Sequence, residues 1–408
     1  MSEYNTLNDF NTLNDYDLDG KTVLLRGDLN VPAKDGKVGD TSRIDRLKPT
    51  IDHLRKAGAK TLIISHFGRP KGQFVADMSL EFLIPALKQQ WNTDIRFAGD
   101  CIGEVAKSAA NSLENGALCL LENVRFHPGE EQNDAVFAKE LADLADIYVN
   151  DAFSAAHRAH ASTVGVAKLL PSVAGTLMAA ELDALTRGLE NPEKPLLAIV
   201  GGAKISTKLD LLDNIVEKTD ILVLGGGMAN TFLYAKGKPV GRSLCEKDMA
   251  DKAREIMNKA DKNKCQLVLP LDGVCAAELA EDVDSRVFDV NAIPDDQMML
   301  DIGPKSVTQI NELLSTARTV VWNGPLGVFE TPPFGKGTVE VANTLATLSS
   351  LGNVLSVAGG GDTLSVLKMA DVSEKMSYVS TAGGAFLEWL EGKTLPGVAA
   401  LATHARAA

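Results

Sequence analysis

The sequence predicts an α/β protein built from two doubly wound parallel-sheet (Rossmann-like) domains joined by a hinge helix. Three observations point there. The chain has 408 residues, more than one hydrophobic core usually serves. Short β-rich runs alternate with stretches of helical periodicity, as parallel strands covered by helices on both faces require. The alternation falls into two series, one on each side of the midpoint.

The elements follow in order. A polar leader comes first, in which residues 5–9 (Asn-Thr-Leu-Asn-Asp) recur at 11–15, without an assigned function. Strand runs are expected at Thr22–Leu25, Thr61–Ser65, Ala117–Leu121 and Ile147–Asn150. Between the first two, Ile44, Leu47, Ile51 and Leu54 form one helical stripe, with Pro49 marking its first turns or a kink. Met178–Glu190 reads as the helix between domains, ended by Asn191-Pro192 and Lys194-Pro195. The rhythm resumes with Leu196–Val200, Ile221–Leu224, Gln266–Leu269, Thr319–Trp322, Val354–Val357 and Tyr378–Ser380. The expected domains are therefore residues 1–177 and 191–392, with 178–190 between them.

Composition narrows the function classes. With 45% hydrophobic and 23% charged residues the chain is an ordinary globular one. No apolar run approaches the ~20 residues of a membrane span, and the N-terminus lacks a basic region followed by an apolar one. Five scattered cysteines without C-x-x-C spacing suit buried thiols in a reducing cytosol better than a disulfide frame or a metal site. A net charge of −13 argues against general nucleic-acid binding, so local clustering of arginines matters more than their total.

In doubly wound sheets ligands sit beyond the carboxyl ends of the strands. In the first half those ends carry Arg26-Gly-Asp28-Leu-Asn30, His66-Phe-Gly-Arg69, Glu122-Asn-Val-Arg125 and Asp151 to Arg158, while Arg43 opens the first helix. Arginine forks suit carboxylate and phosphate oxygens, so the ends should converge on a small, multiply anionic molecule. The alternative is local pairing of each arginine with an acid such as Asp28, Glu122 or Asp151. His66 and His157 lack zinc spacing and fit anion hydrogen bonding or a structural role.

At the midpoint, the run Leu196–Val200 meets Gly201-Gly202, and Ile205, Leu209, Leu212 and Val216 then recur at helical spacing. A strand, a glycine turn and a helix opening beside it would aim amide N–H groups at an anion. Lys204 and Lys208 would project from one side of the first helical turns. An ordinary connection with two solvated lysines fits the same residues. Neither a Walker A loop nor a dinucleotide fingerprint is present. Later strand ends are glycine-rich: Gly225–Gly227, Asn323-Gly-Pro-Leu-Gly327, Gly359-Gly-Gly-Asp362-Thr363 and Ala382–Gly384. Asp362-Thr363 reads either as a seat for phosphates and Mg²⁺ or as the cap of a helix starting near Leu364. Glu330 lies in a loop, facing either a ribose or solvent.

The chain resembles the phosphoglycerate kinase family in Arg26-Gly-Asp-Leu-Asn-Val-Pro32, Ser65-His-Phe-Gly-Arg-Pro-Lys71, Leu121-Glu-Asn-Val-Arg-Phe126, Asp151–His160, Gly201–Lys208, Trp322–Glu330 and Gly359–Thr363. These segments run in the family's order from about Leu18 to Gly397. The resemblance implies a cytoplasmic, monomeric glycolytic enzyme that moves a phosphoryl group between 1,3-bisphosphoglycerate and Mg-ADP, giving 3-phosphoglycerate and Mg-ATP. No nucleic-acid or membrane partner is expected, and the two domains would close across a cleft.

By motif, Asp28 and Asn30 would hold glycerate oxygens, and Arg43, His66, Arg69, Arg125 and Arg158 the carboxylate and phosphate. Arg43 and Lys204 would be catalytic, Lys204 meeting the transferring group, and Lys208 would bind nucleotide phosphates. Asn323, Glu330, Gly360, Gly361, Asp362 and Thr363 would line the nucleotide site, with Asp362 on Mg²⁺. Residues 393–408 would return to the N-terminal domain. Departures from the family pattern fall at Gly27, Phe67, Ser154-Ala155 and Ala382, and none removes a charged site residue. Two rival classes share the sheet type. A catalytically silent binding protein would have lost Lys204, Arg43 or Asp362, and a nicotinamide dehydrogenase would carry the missing fingerprint.

Overall fold

A computed structural model describes residues 10–405, so the first copy of the leader repeat lies outside the described residues. The second copy forms a single turn, Leu13–Asp15, whose Asp15 carboxylate accepts from the Thr12 amide at 2.7 Å and the Thr12 hydroxyl at 2.9 Å. The chain divides into two compact units, Met1–Asp183 with Thr394–Ala408, and Ala184–Lys393. The boundary falls inside a helical stretch that runs as an α-helix over Thr176–Leu185 and continues over Thr186–Glu190. Helix Pro396–Ala405 belongs to the first unit, where the Gly397 amide donates to the Ala156 carbonyl.

Unit 1 is organised on a six-stranded sheet in the order Arg96–Ala98, Leu118–Leu121, Lys60–Ile64, Thr22–Gly27, Ile147–Asp151, Ser172–Ala174. Every pairing is parallel. Val23, Leu24, Leu25, Leu62, Ile63 and Val149 are fully buried, as central strands covered on both faces must be. The stripe foreseen between the first two strands lies on helix Ser42–Lys56, with Ile44, Leu47, Ile51 and Leu54 at most 1% exposed. Each such side chain contributes about 1.5–3 kcal/mol of burial. Pro49 sits in the middle of this helix, not in its first turn.

Unit 2 repeats the plan in the order Gln266–Val268, Ile221–Leu224, Leu196–Val200, Thr319–Asn323, Leu355–Gly359, Tyr378–Ser380, again all parallel. It also carries an antiparallel sheet of Arg286–Asp289, Asp272–Ala276 and Met298–Ile302, which the strand-helix rhythm does not foresee. No described helix is long and apolar enough to cross a membrane.

Strand order reverses once in each large sheet, between Thr22–Gly27 and Ile147–Asp151 in unit 1 and between Leu196–Val200 and Thr319–Asn323 in unit 2. Such switch points open a crevice beyond the strand ends. Both clusters of candidate site residues lie at these points.

Candidate active site

In unit 1 the first strand ends at Gly27, where a Cβ would come within 2.7 Å of Leu47 Cδ2. The missing side chain lets the first helix close over the strand end and deliver Arg43 from its first turn. Arg43 Nη1 donates to both Asp28 oxygens, at 2.9 and 2.8 Å. Ser154 donates its hydroxyl to Asp28 Oδ2 at 2.6 Å, so a departure from the family pattern adds a bond to a predicted site residue. Asn30 Oδ1 accepts the Gly68 amide at 3.0 Å, and Arg125 Nη1 donates to the Gly68 carbonyl at 2.8 Å. Arg69 follows directly. It is exposed, and no hydrogen bond or ion pair among the described residues engages its guanidinium.

Beneath these groups lies a fully buried arginine, Arg26. Its Nε donates to Ser162 Oγ at 3.1 Å and its Nη2 to His66 Nδ1 at 2.9 Å. An arginine only donates, so His66 Nδ1 must be an acceptor and the ring proton must sit on Nε2. Burial, then the charges of Arg26, Arg125 and Arg158, push the His66 pKa well below its ordinary value. The ring is therefore a neutral, oriented donor. Two-bond ¹H–¹⁵N spectra near neutral pH should show an unprotonated Nδ1 and a protonated Nε2. An imidazolium pattern would contradict this assignment.

Burial lowers Arg125 to about 10, with the charge of Arg158 acting in the same direction. Its ion pair is with Glu131, at 3.4 Å from Nε, and not with Glu122. Glu122 is engaged elsewhere, by the Ser79 hydroxyl at 2.6 Å and the Leu80 amide at 2.8 Å. Asp151 accepts the Met178 amide at 2.8 Å. Of the three local acids weighed as arginine partners, Asp28 alone takes that role, with Arg43. Arg158 instead donates from Nε to His157 Nε2 at 3.1 Å.

A support layer was absent from the sequence reading. Glu130, 1% exposed, accepts the Ser162 amide at 2.8 Å and the Ser162 hydroxyl at 2.6 Å, and lies 3.6 Å from His160 Nδ1. Burial alone would raise its pKa. The His160 bond, the Arg26 charge and the Ser162 bonds outweigh burial and hold it below the ordinary value. The nearest sequence signal was adjacency: Glu130-Glu131 follow the Leu121–Phe126 segment by four residues.

In unit 2 the glycine turn differs from expectation. The helix starts at Leu209, with Lys208 as its cap residue, so residues 203–208 form a non-helical turn and the two lysines do not share a helical face. The buried stripe is Leu211, Leu212, Ile215 and Val216, while Leu209 is only partly covered. Glu246 steadies the turn by accepting the Ser206 amide at 3.0 Å and hydroxyl at 2.6 Å. Lys204 stands exposed on it. Lys208 turns inward across the switch point, donating to the Gly201 carbonyl at 2.7 Å and to Asn323 Oδ1 at 2.6 Å. Burial lowers Lys208 to about 8, opposed by the negative charge of Asp362.

Asn323 is 5% exposed and links Lys208 to the Gly359 carbonyl, to which its Nδ2 donates at 2.9 Å. The following helix begins at Gly361, three residues before the expected start, with Gly360 at the cap position and φ of 98°. That left-handed conformation, with Asn323 Nδ2 2.7 Å from any Cβ, requires glycine at 360. Asp362 lies exposed in the first turn and caps nothing. Thr363 is 1% exposed, and its hydroxyl accepts the Gly324 amide at 2.7 Å, so it braces the loop from behind. Asp362 and the exposed Glu330 line a cavity of about 330 Å³. Gly202, Gly226 and Gly227 form part of its wall, and Leu244, Leu279 and Met298 give it an apolar face. Those apolar residues come from loops and the small sheet, where no motif marked them.

A cluster of arginines at one switch point and a lysine–glycine cradle beside a cavity at the other are what a phosphotransferase with two α/β domains requires. A family profile described as phosphoglycerate kinase matches residues 13–393. The chain belongs to the phosphoglycerate kinase family and is a glycolytic kinase. It is 60% identical to the phosphoglycerate kinase of Rhodospirillum centenum over 382 residues, 94% of this chain and 96% of that one. It is 57% identical to that of Sinorhizobium medicae over 395 residues, 97% and 98% of the two chains. The solved phosphoglycerate kinase from Coxiella burnetii superposes with a TM-score of 0.91 at 43% identity, covering 97% of this chain and 100% of that one.

Proposed function

We propose that the two clusters divide the phosphoglycerate kinase reaction, unit 1 holding the glycerate and unit 2 the nucleotide. The phosphoryl group then passes reversibly between 1,3-bisphosphoglycerate and Mg-ADP, giving 3-phosphoglycerate and Mg-ATP. The supporting observation is the crowding of positive charge in unit 1: burial first, and then neighbouring arginines, lower both His66 and Arg125, and a bound polyanion would relieve that repulsion.

Asp28 and Asn30 orient glycerate oxygens, and the His66 Nε2 proton with Arg43, Arg69, Arg125 and Arg158 takes up carboxylate and phosphate. Lys204 meets the transferring group. Lys208, the Gly360–Gly361 backbone and Glu330 hold the nucleotide, Asn323 and Thr363 keep that cradle in shape, and the apolar face of the cavity suits a purine. Asp362 is an exposed carboxylate whose charge acts on Lys208, and it would hold Mg²⁺, which neutralises phosphate charge when bound. An acyl phosphate needs little activation, so in-line positioning and charge neutralisation suffice, without a general base. Acceptor and donor bound to separate units must be brought together with water excluded, which domain closure achieves. A monomeric, cytoplasmic enzyme completes the proposal.

Arg69 provides the test, because its guanidinium is available to a ligand. Arg69→Ala should weaken 3-phosphoglycerate binding by about 1.5–3 kcal/mol and leave ADP affinity of the free enzyme nearly intact. Calorimetry with unchanged 3-phosphoglycerate binding would remove Arg69 from the site.

A further inference from the structure

Away from the transfer machinery, the one group of His, Cys, Asp and Glu side chains placed to share a metal ion among the described residues is Asp100, Cys101 and His127. One donor atom from each lies within 4.8 Å of the others. We propose that these three residues form a binding site for a thiophilic divalent cation of the Zn²⁺ class. Asp100 and Cys101 follow the edge strand Arg96–Ala98, and His127 follows the turn Val124–Phe126 that carries Arg125. The Cys101 amide donates to Asp100 Oδ1 at 2.7 Å, and His127 Nε2 lies 2.8 Å from the same oxygen. Phe137 stacks on the His127 ring with centroids 5.1 Å apart and fixes its plane.

The geometry and the donor chemistry agree. Tetrahedral zinc takes sulfur at ~2.3 Å and nitrogen or oxygen at ~2.0–2.2 Å, which sets donors about 3.3–3.7 Å apart. The Asp100–His127 contact therefore has to open by roughly half an ångström, and the thiol, within 4.8 Å of the other two donors, has to close in by up to about one ångström. A thiolate, a carboxylate and a neutral imidazole balance a divalent charge, and the mixed set selects zinc-like ions over Mg²⁺. Cys101 is fully buried, while the side chains of His127 and Asp100 are 27% and 42% exposed. The ion would enter from their side and keep water as its fourth ligand. On binding, the cation replaces the thiol proton, which is released to solvent. Cys101 and His127 are 26 residues apart, with no zinc spacing, which is why the cysteine pattern argued against metal. Bound there, the ion would tie the sheet edge to the segment presenting Arg125.

Cobalt titration of the full-length protein under a non-thiol reductant tests this independently of catalysis. Co²⁺ should bind at about one equivalent, with tetrahedral visible bands and a thiolate charge-transfer band in the near ultraviolet, and Zn²⁺ should displace it. Cys101→Ser should abolish the charge-transfer band. His127→Gln and Asp100→Asn should each weaken Co²⁺ binding by about 100-fold or more, at the upper end of what outer-shell changes cost. Cys245→Ser, at the partly exposed thiol, should leave the band unchanged. The proposal fails if wild type shows no thiolate band. It also fails if the band survives Cys101→Ser or vanishes in Cys245→Ser. Unaltered affinity in a His127→Gln variant of normal Tm would likewise overturn it.

Discussion

Lys204→Ala should lower kcat by about 10²–10³-fold while nucleotide Kd moves little. Lys204 is exposed on the non-helical turn of residues 203–208 that the Ser206–Glu246 bonds hold in place. A cation that meets the migrating phosphoryl group mainly at the transition state raises the rate without tightening ground-state binding. Lys208 should behave differently. Its ammonium is tied to Gly201 and Asn323, inside the cradle assigned to phosphates already present in the ground state. Lys208→Ala should therefore weaken nucleotide binding first. Steady-state kinetics with nucleotide titration on both variants separates the roles. Near-normal kcat for Lys204→Ala, or a loss explained by poor nucleotide binding alone, would refute the assignment.

Glu130→Ala should be the most destabilising single change near the unit 1 site, costing about 3–5 kcal/mol and lowering Tm by roughly 6–20 °C. Glu130 is 1% exposed and receives both the amide and the hydroxyl of Ser162. Its removal strands those donors and leaves the buried charge of Arg26 without its neighbouring carboxylate. The pH dependence has a definite sign. The carboxyl is held below its ordinary 4.5, so its contribution is fully present above about pH 4.5 and is lost as pH falls through the folded value. The gap between wild type and variant should therefore narrow in acid. Surviving folded Glu130→Ala should also bind 3-phosphoglycerate more weakly, because Arg26 orients His66. A Tm within a degree of wild type by calorimetry would show that the network carries little stability.

Much of the fold was legible because its signals are local. Leu196–Val200 and Ile221–Leu224 are strands over the very residues expected, since fully buried parallel strands read as short apolar runs. Arg96–Ala98 and Ser172–Ala174 were missed. Each is a three-residue edge strand that opens on a polar residue, Arg96 or Ser172, so neither begins as an apolar or β-branched run. The antiparallel sheet escaped for a related reason: Met298–Ile302 places a buried aspartate, Asp301, inside an apolar run. Burial raises Asp301 to about 6, and it accepts amides at Ile302 and Gly337, partners no local pattern announces.

What the sequence by itself determined was the α/β class, the two strand series, the family and the charged residues waiting at the strand ends. Tertiary structure alone decided how those residues are used. It turned Lys208 inward onto Asn323, 115 residues away, and left Lys204 outside. It brought Ser154 to Asp28 across 126 residues and Ser162 to Arg26 across 136. Periodicity and motif spacing describe neighbours along one strand or helix turn. The protonation of His66, the partner of each arginine and the support beneath them depend on which strands become adjacent at a switch point, and that is set by packing of the whole sheet.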